Sequence, residues 1–208
     1  MLVSEKYKLI FIAVPKTGTS SFNVMFEELL NAERNKYSIG SECIACPEHI
    51  DYKTLRSVVG DQGMSQFLIV GATRNPWDRM VSAYSFYNSG RVVGRVSAGK
   101  QLGFKAIINV VLAKILPFRF WIRIKPYRSC MSYLRDESGQ MRADYVIRFE
   151  EYTHDLKSLC RRLGVEFKAP VHINKSDRKC YRDYYTDSTR RLVGKRFRDD
   201  IEMFKYEF

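Results

Sequence analysis

The stretch from Lys8 to Leu30 constrains the fold most, because its hydrophobic period changes across a short polar loop. Leu9 to Val14 is a short apolar run rich in β-branched and aromatic residues, which predicts a buried strand. Pro15 has no N–H for a strand ladder, and Gly18 permits a turn that other residues resist. The order strand, loop, helix is therefore predicted here. The apolar face of the helix recurs at helical spacing and comprises Phe22, Met25, Phe26, Leu29 and Leu30.

The loop has the composition of an anion-binding site. The first N–H groups of the helix, from Gly18 to Ser21, have no intrahelical acceptor and lie at the positive end of the helix dipole. Lys16 adds a mobile positive charge. We predict a phosphate-binding loop, with an ordinary strand-to-helix turn as the plainer alternative. Four neighbouring residues supply hydroxyl donors, namely Thr17, Thr19, Ser20 and Ser21.

The order of residues differs from that of a nucleoside triphosphatase loop. That loop needs G-x-x-x-x-G-K-[ST], with Lys directly after Gly and a hydroxyl that holds Mg²⁺. Here Lys16 comes two residues before Gly18, and no glycine opens the loop. The arrangement favours a nucleotide that carries a transferable group without a bound metal. We accordingly predict no metal site.

A second strand is predicted over Gln66–Thr73, QFLIVGAT, and a helix follows it. Asn75 can cap that helix, and Pro76 suits its first turn. The apolar pattern of the helix does not account for Arg74 at the strand end or for Ser82 within the helix. The core-facing stripe comprises Trp77, Met80, Val81 and Tyr84.

Both loops resemble the nucleotide-binding motifs of sulfotransferases that use 3′-phosphoadenosine 5′-phosphosulfate (PAPS). The phrase PKTGTSS is similar to the loop that holds the 5′-phosphosulfate in this family. The phrase ATRNPWDRMVSAY resembles the motif in which Arg and Ser bind the 3′-phosphate, which implies those roles for Arg74 and Ser82. The first motif implies donor-binding roles for Pro15, Lys16, Thr17, Gly18, Thr19, Ser20 and Ser21.

Later parts of the chain extend the resemblance. A strand is predicted over Asp144–Phe149 and a helix over Thr153–Leu163, and the phrase RFEEYTHDLKSLCRRLG is similar to this family. The segment that begins HINKSDRK resembles the end of carbohydrate sulfotransferases, where a basic loop closes over the nucleotide. This implies secondary donor-site roles for Lys175 and Arg178, with solvated charges as the alternative. A further helix is predicted from about Asp187.

The resemblance implies a P-loop-like α/β fold of three layers, with a central parallel sheet flanked by helices. We predict a single sulfotransferase domain over residues 1–208, with residues 88–128 as a variable insertion on the acceptor side. Sulfotransferases of phenols and steroids carry an R-K-G-x-x-G-D-W-K-N segment near the C-terminus, and this chain has none. The resemblance is therefore to the carbohydrate branch. It implies PAPS as co-substrate, 3′,5′-adenosine bisphosphate (PAP) as product and a carbohydrate hydroxyl as acceptor.

Sulfuryl transfer needs a base for the acceptor hydroxyl and a positive group at the leaving phosphate. Lys16 is predicted for the leaving oxygen. His49 is predicted as the base, because it begins an H-x-x-x-x-x-L-R phrase of the kind in which this family often carries a catalytic His. Glu48 is the alternative base, and a structural, helix-capping His49 is the plainer interpretation. We expect His154 on the surface and His172 in a strand or at its edge.

The chain between the first two predicted strands is less regular. Asn31–Cys46 is polar and is predicted as a loop. Pro47 opens a segment whose apolar residues predict a short helix that ends at Gly60. Cys43 and Cys46 form a C-x-x-C, but no second pair completes a zinc site. We expect reduced thiols, with a redox pair as the alternative.

The formal net charge of +12 predicts an anionic partner. Arg91–Lys125 has many basic residues and no acidic one. We expect it to line a cleft for an anionic polysaccharide, with Trp121 and Tyr127 against the sugar rings; a solvated face is the alternative. A helix within Leu102–Trp121 is expected, with an interfacial membrane helix as the weaker interpretation, and the sequence does not otherwise indicate membrane association. The residues expected to pack that helix on the domain are Phe104, Ile107, Ile108, Val111 and Ile115.

Two other function classes fit parts of the sequence. A nucleotide or sugar kinase has a related strand–loop–helix build, but Lys16 is misplaced for it and no evident metal-binding Asp follows a strand. A basic nucleic-acid-binding module fits the charge but leaves both phosphate motifs without a role, so we predict no nucleic-acid partner. No signal peptide is evident before the first strand, so we expect a cytoplasmic protein. A Golgi-type luminal domain is the alternative if an N-terminal anchor is missing.

Overall fold

The computed structural model describes residues 1–30, 33–34, 36–39, 42–45, 49–89, 104–169 and 178–208. The chain forms two compact units, and each is built from two separate stretches. The first unit comprises Met1–Arg74 and Cys130–Asn174. The second comprises Asn75–Ser129 and Lys175–Phe208. A single domain over residues 1–208 stays a prediction.

The first unit contains a sheet of five described strands in the order β3-β1-β2-β6-β7. The described strands are β1 Leu2–Ser4, β2 Leu9–Ile12, β3 Glu33–Arg34, β4 Lys36–Ile39, β5 Glu42–Ala45, β6 Leu68–Thr73 and β7 Tyr145–Arg148. β2, β6 and β7 run parallel, with Phe11 opposite Val70 and Ala72 opposite Ile147. The predicted α/β class with a parallel central sheet flanked by helices is confirmed.

The edge of this sheet is antiparallel, which the sequence pattern does not predict. β1 pairs antiparallel with both β2 and β3. Its three residues are too few for a periodic signal, yet Leu2 and Val3 are buried. The buried Ser4 donates its hydroxyl hydrogen to the Leu30 carbonyl at 2.6 Å, which fastens β1 to the end of the first helix.

The prediction of a loop over Asn31–Cys46 is wrong where the structure describes that segment. β4 and β5 pair antiparallel as a separate two-stranded sheet, with Tyr37 opposite Ile44. In the sequence of β4 polar and apolar residues alternate, which is the two-residue period of a strand. The loop prediction rested on the polar residues of this segment, because an alternation over so few residues is not distinguishable from a polar loop.

The described helices are α1 Thr19–Leu29, α2 Tyr52–Met64, α3 Pro76–Asn88, α4 Phe104–Ile115, α5 Phe118–Ile124, α6 Met131–Leu134, α7 Tyr152–Arg162, α8 Asp187–Arg196 and α9 Arg198–Phe204. The core of the first unit lies between the sheet and two of them. The α1 residues Phe22 and Phe26 pack on Phe11 of β2, with ring centres 5.1 and 5.7 Å away. From α7, Leu156 and Leu159 complete this core. The predicted apolar face of α1 therefore faces the sheet.

α2 begins and ends later than predicted. Its N-cap is Asp51, whose side chain accepts a hydrogen bond from the Thr54 N–H. The predicted end, Gly60, lies inside the element with φ of 75° and ψ of 163°, which breaks the helix locally. Glycine allows that conformation, and the helix resumes beyond it. His49 consequently lies in a turn ahead of α2 and does not cap it.

The second unit is helical in its described part. The start of α3 is as predicted, because Asn75 accepts hydrogen bonds from the N–H groups of Trp77 and Asp78 and Pro76 occupies the first turn. α8 begins at Asp187, as predicted, behind a Thr186 cap. Among the described helices, none is both long and apolar enough to cross a bilayer.

α4 confirms the helix expected within Leu102–Trp121, but the prediction of its packing face is wrong. The side that packs inward carries Asn109, Val110 and Ala113. Helical periodicity defines a stripe without saying which stripe of a largely apolar helix meets the core. Four of the predicted packing residues are exposed instead, namely Ile107, Ile108, Val111 and Ile115, and the side chain of Phe104 lies outside the described residues.

Candidate functional site

The loop after β2 enters α1 through Gly18, which is left-handed with φ of 85°. Glycine adopts this conformation at little cost, whereas residues with a Cβ are strained there. A Cβ at Gly18 would also lie 3.1 Å from a ring carbon of Phe149. Both the backbone angle and the close neighbour therefore require glycine at this position.

The N-terminus of α1 has no side-chain cap. Three other helices do have one, from Asp51 at α2, Asn75 at α3 and Thr186 at α8. The first N–H groups of a helix need partners, and together with the dipole they attract anions. The start of α1 can therefore take its cap from an anionic ligand.

The hydroxyl residues of this loop are largely enclosed by protein. Thr17 is fully buried, and its hydroxyl donates to the Val14 carbonyl at 2.9 Å, which closes the loop on itself. Thr19 and Ser21 are buried on α1, and Ser20 is half-buried. Thr17 therefore shapes the loop, while ligand binding by these four residues stays a prediction.

Lys16 adopts a left-handed conformation with φ of 68°, which is uncommon outside glycine. Its carbonyl accepts a hydrogen bond from Nη1 of Arg74 at 3.2 Å. Arg74 is buried, and Lys16, like the preceding Pro15, is half-buried. Strained backbone persists where neighbouring contacts hold it. Arg74, which follows β6, therefore stabilises the loop that follows β2, and the structure brings these two predicted donor-site residues together.

Phe149 contacts both predicted phosphate motifs, although the sequence reading did not single it out. It follows β7 directly, and its N–H donates to the Thr73 carbonyl at 2.9 Å. The guanidinium carbon of Arg74 lies 3.7 Å from its ring centre, and the same ring borders Gly18. Its position directly after a predicted strand is the signal that could have found it, because the carboxyl ends of parallel strands meet at one sheet edge.

His49 is anchored to the end of β2. Its Nδ1 lies 2.8 Å from the carbonyl oxygen of Ala13. A carbonyl oxygen only accepts, so Nδ1 carries the hydrogen in this contact. In the neutral ring the lone pair then belongs to Nε2. The backbone therefore selects the tautomer in which Nε2 can accept a proton, on a side chain that is exposed.

Two predicted donor-site residues belong to the second unit. Ser82 is half-buried on α3. Arg178 is largely buried, and its Nη2 lies 2.5 Å from the carboxylate of Asp78 in the first turn of α3. A charge-assisted bond of this kind is strong, so it fixes the chain just ahead of the short 3₁₀ helix Tyr181–Tyr184. The donor role of both residues stays a prediction.

Several residues from the sequence analysis lie outside the described residues, namely Cys46, Glu48, His172 and Lys175. The same holds for the side chain of Cys43. His154 is exposed on α7, as predicted. Within the described ranges, no group of three or more His, Cys, Asp and Glu side chains is placed to hold a metal ion. Metal independence stays a prediction.

The prediction that Trp121 offers a ring face to a sugar is wrong. Trp121 is fully buried in the second unit, with its ring centre 5.4 Å from that of Tyr84 and 6.2 Å from that of Phe118. Tyr127 is half-buried beside it. The exposed positions of α5 carry Arg119, Phe120, Arg123 and Ile124, and the tryptophan on the opposite side of this short helix belongs to the core.

In a comparison with protein-family models, residues 1–207 match the model of the sulfotransferase family. Searches of curated proteins and of solved structures found no match. The matched range includes the Gly18 loop, the Arg74 strand end and the α3 segment with Ser82. Because the match covers nearly the whole chain, it supports sulfuryl transfer as the general activity. The chain belongs to the sulfotransferase family.

Proposed function

We propose that this protein transfers the sulfuryl group of PAPS to a hydroxyl of a carbohydrate acceptor. One observation carries the proposal: the uncapped start of α1, with Gly18 as N-cap, follows a loop whose strained Lys16 is held by Arg74. We interpret this arrangement as an anion site, in which Arg74 from one predicted phosphate motif stabilises the loop of the other. Membership of the family supports sulfuryl transfer, and the two nucleotide motifs support PAPS as the donor.

The residues of the first unit suit the anionic groups of PAPS. In the proposal, the helix-start N–H groups and the Lys16 ammonium bind the 5′-phosphosulfate, and Gly18 lets the backbone approach it closely. Arg74 binds the 3′-phosphate. A guanidinium carries N–H donors in a planar fork that suits phosphate oxygens. Supporting roles at the same nucleotide are proposed for Pro15, Thr17, Thr19, Ser20, Ser21, Ser82, Lys175 and Arg178.

His49 is proposed as the general base. Its Nδ1–H is directed to the Ala13 carbonyl, so Nε2 holds the lone pair that takes the proton of the acceptor hydroxyl. A base of this kind contributes on the order of 10²- to 10⁴-fold in rate. Glu48 is the alternative base.

The proposed reaction exchanges one bond to sulfur for another. PAPS supplies the sulfuryl group as co-substrate. The acceptor oxygen forms a bond to sulfur as the bond between sulfur and the 5′-phosphate oxygen breaks, and PAP leaves. His49 receives the hydroxyl proton, and Lys16 stabilises the charge that develops on the leaving oxygen.

A carbohydrate is proposed as acceptor because the chain lacks the C-terminal glycine-rich segment of phenol and steroid sulfotransferases. The net charge of +12 favours an anionic sugar polymer within this class. Acceptor KM for a sulfated or carboxylated oligosaccharide should then rise steeply with ionic strength, since exposed charges are screened within about 8 Å at physiological salt. Equal, salt-independent KM values for charged and neutral oligosaccharides would contradict an anionic acceptor and leave a neutral glycan.

The donor is tested by thermal shift with PAP, ATP and GTP. A ligand that binds the native state raises the melting temperature by mass action. PAP should stabilise most, because it alone offers a 3′-phosphate, and Arg74→Ala should abolish that preference. Equal stabilisation by ATP in both proteins would overturn PAPS as donor. Sulfuryl transfer should also continue in EDTA, whereas a chelator-sensitive activity restored by Mg²⁺ would favour a kinase.

A further inference from the structure

A row of aliphatic side chains lies exposed along α4. Ile107, Ile108, Val111 and Ile115 have 40% to 70% of their surface accessible. Their spacing places them on one stripe of the helix, since residues four apart lie one above the other. The stripe extends from Ile107 to Ile115. An exposed apolar row of this length marks an interaction surface.

The opposite side of α4 already packs against the second unit. Asn109, Val110 and Ala113 are each less than a tenth exposed. The exposed row is therefore not the side that holds the helix in the fold. Because α4 has apolar residues on two sides and the fold covers one of them, the exposed side can contact a binding partner.

α5, which packs next to α4, continues the pattern. Its Phe120 and Ile124 are four residues apart and about half exposed. Exposed Arg119 and Arg123 precede them. Apolar and basic side chains therefore share the exposed surface of this short helix.

The charge near these helices has one sign. No Asp or Glu occurs between Asp78 and Asp136. Lys114, Arg119 and Arg123 are exposed. Lys125 serves the interior instead, because its ammonium donates to the Asn109 side chain and burial lowers its pKa. The exposed cations therefore lie on the same two helices as the exposed apolar residues, and their segment contributes no carboxylate.

We propose that α4 and α5 dock on the surface of a lipid bilayer with anionic headgroups. Aliphatic side chains gain by entering the acyl boundary, and Lys and Arg beside them meet the headgroup charge. At 12 residues α4 is about 18 Å long, too short to span a bilayer but sufficient to lie in its interface.

Two other occupants fit the surface less well. A second copy of this chain would bring the same exposed cations against each other. An anionic polysaccharide would pair with the cations but would leave the isoleucines against sugar hydroxyls, and the one tryptophan of α5 is buried. An anionic bilayer offers both an apolar interior for the exposed aliphatic side chains and negative headgroups for the cations.

The test is co-sedimentation of the full chain with phosphatidylcholine vesicles and with vesicles that contain phosphatidylserine. Binding is expected to the mixed vesicles, weakly or not at all to pure phosphatidylcholine, and less at high salt. Val111→Glu and Ile124→Glu should each reduce the bound fraction by roughly tenfold, because each puts a negative charge where the apolar row meets the headgroups. The matched control is Met203→Glu, at another exposed apolar residue on α9, and it should bind as the parent does.

Melting temperature and PAP-induced stabilisation of each variant show whether the fold is intact. Three results would overturn the proposal: no binding to either vesicle, equal loss in the Met203→Glu control, or binding unaffected by Val111→Glu and Ile124→Glu. Heparin retention lost in Val111→Glu without vesicle binding would assign the surface to a polysaccharide. A dimer that Val111→Glu dissociates, again without vesicle binding, would assign it to self-association.

Discussion

The Arg74 guanidinium lies over the Phe149 ring, with its central carbon 3.7 Å from the ring centre. A cation over an aromatic face is stabilised by up to about 2 kcal/mol when it is shielded from water. Arg74 is 6% exposed, so water competes little for it. The ring therefore determines where the guanidinium sits, and with it the hydrogen bond to the Lys16 carbonyl. We therefore infer that Phe149 is a positioning residue for the proposed donor site.

Phe149→Leu should weaken PAP binding about tenfold, which corresponds to about 1.4 kcal/mol. Leucine keeps the apolar bulk but removes the ring that the Arg74 guanidinium contacts. The measurement is the PAP dissociation constant by calorimetry. Phe67→Leu is the control, because Phe67 also lies beneath a cation, that of Lys8, at 5.2 Å. Unchanged PAP affinity in Phe149→Leu, or equal losses in both variants, would show that the ring does not position the guanidinium.

Gly18→Ala should abolish PAP binding, whereas Gly139→Ala should not. Both glycines have φ of 85°, so alanine costs roughly 1–2 kcal/mol of backbone strain at either position. Only at Gly18 would the Cβ press against Phe149, since nothing lies within 4 Å of that of Gly139. Melting temperatures measure the backbone strain that the two variants share. PAP binding measures the effect of the contact with Phe149, which only Gly18→Ala has. Normal PAP binding by Gly18→Ala would contradict the role of the loop.

His49→Ala should lower kcat by about 10²- to 10⁴-fold with near-normal PAP affinity. In the proposed mechanism the base contacts the acceptor hydroxyl and not the nucleotide. His154→Ala is the matched control, because His154 is an exposed histidine of the same unit on α7, and it should retain full activity. If His49→Ala stays active, His49 is not the base and its contact with the Ala13 carbonyl has a structural role. In that case a variant of Glu48 becomes the next test.

Asp136→Asn should lower the free energy of unfolding at neutral pH, and this loss of stability should be smaller in acid. The Ser138 hydroxyl, the Arg142 guanidinium and the Gln140 N–H all bond the Asp136 carboxylate, which holds its pKa well below the usual range. The ionised form therefore stabilises the fold above about pH 4, and that stabilisation is lost as the pH falls through the folded pKa.

Thermal unfolding from pH 7 to pH 3 measures this effect. The difference in melting temperature between Asp136→Asn and the parent should shrink as the pH falls. Glu137→Gln is the control, since that exposed carboxylate makes only a surface ion pair with Arg56. A constant difference across the pH range would contradict the linkage.

The elements that hold Lys16, Gly18 and Arg74 are predictable because each rests on a local pattern. The apolar run Leu9–Val14 predicts a strand, and Asn75 predicts a helix start, from adjacent residues alone. β1 is different, because three residues become a strand only through pairing with β2. The exposed row of α4 could not be predicted for a related reason, since periodicity contains no information on which side meets the rest of the unit.

The geometry of the site depends on contacts between distant parts of the sequence. Phe149 reaches Arg74 because β7 adds to the sheet next to β6. The tautomer of His49 depends on a carbonyl at Ala13, and no side-chain pattern encodes a backbone acceptor. Motifs in the sequence therefore identify candidate anion-binding residues, and the pairing of the parallel strands decides which of them meet.

The division of each compact unit between two stretches of chain has a consequence for biosynthesis. β2 and β6 leave the ribosome before β7, which covers the far edge of β6 and follows only after Asn75–Ser129 has been made. At about 5–20 residues per second this interval lasts several seconds. During it the β6 edge has unpaired N–H and carbonyl groups, a hazard for aggregation. Nascent chains stalled before Tyr145 should therefore depend on chaperones, and chains released beyond β7 should not.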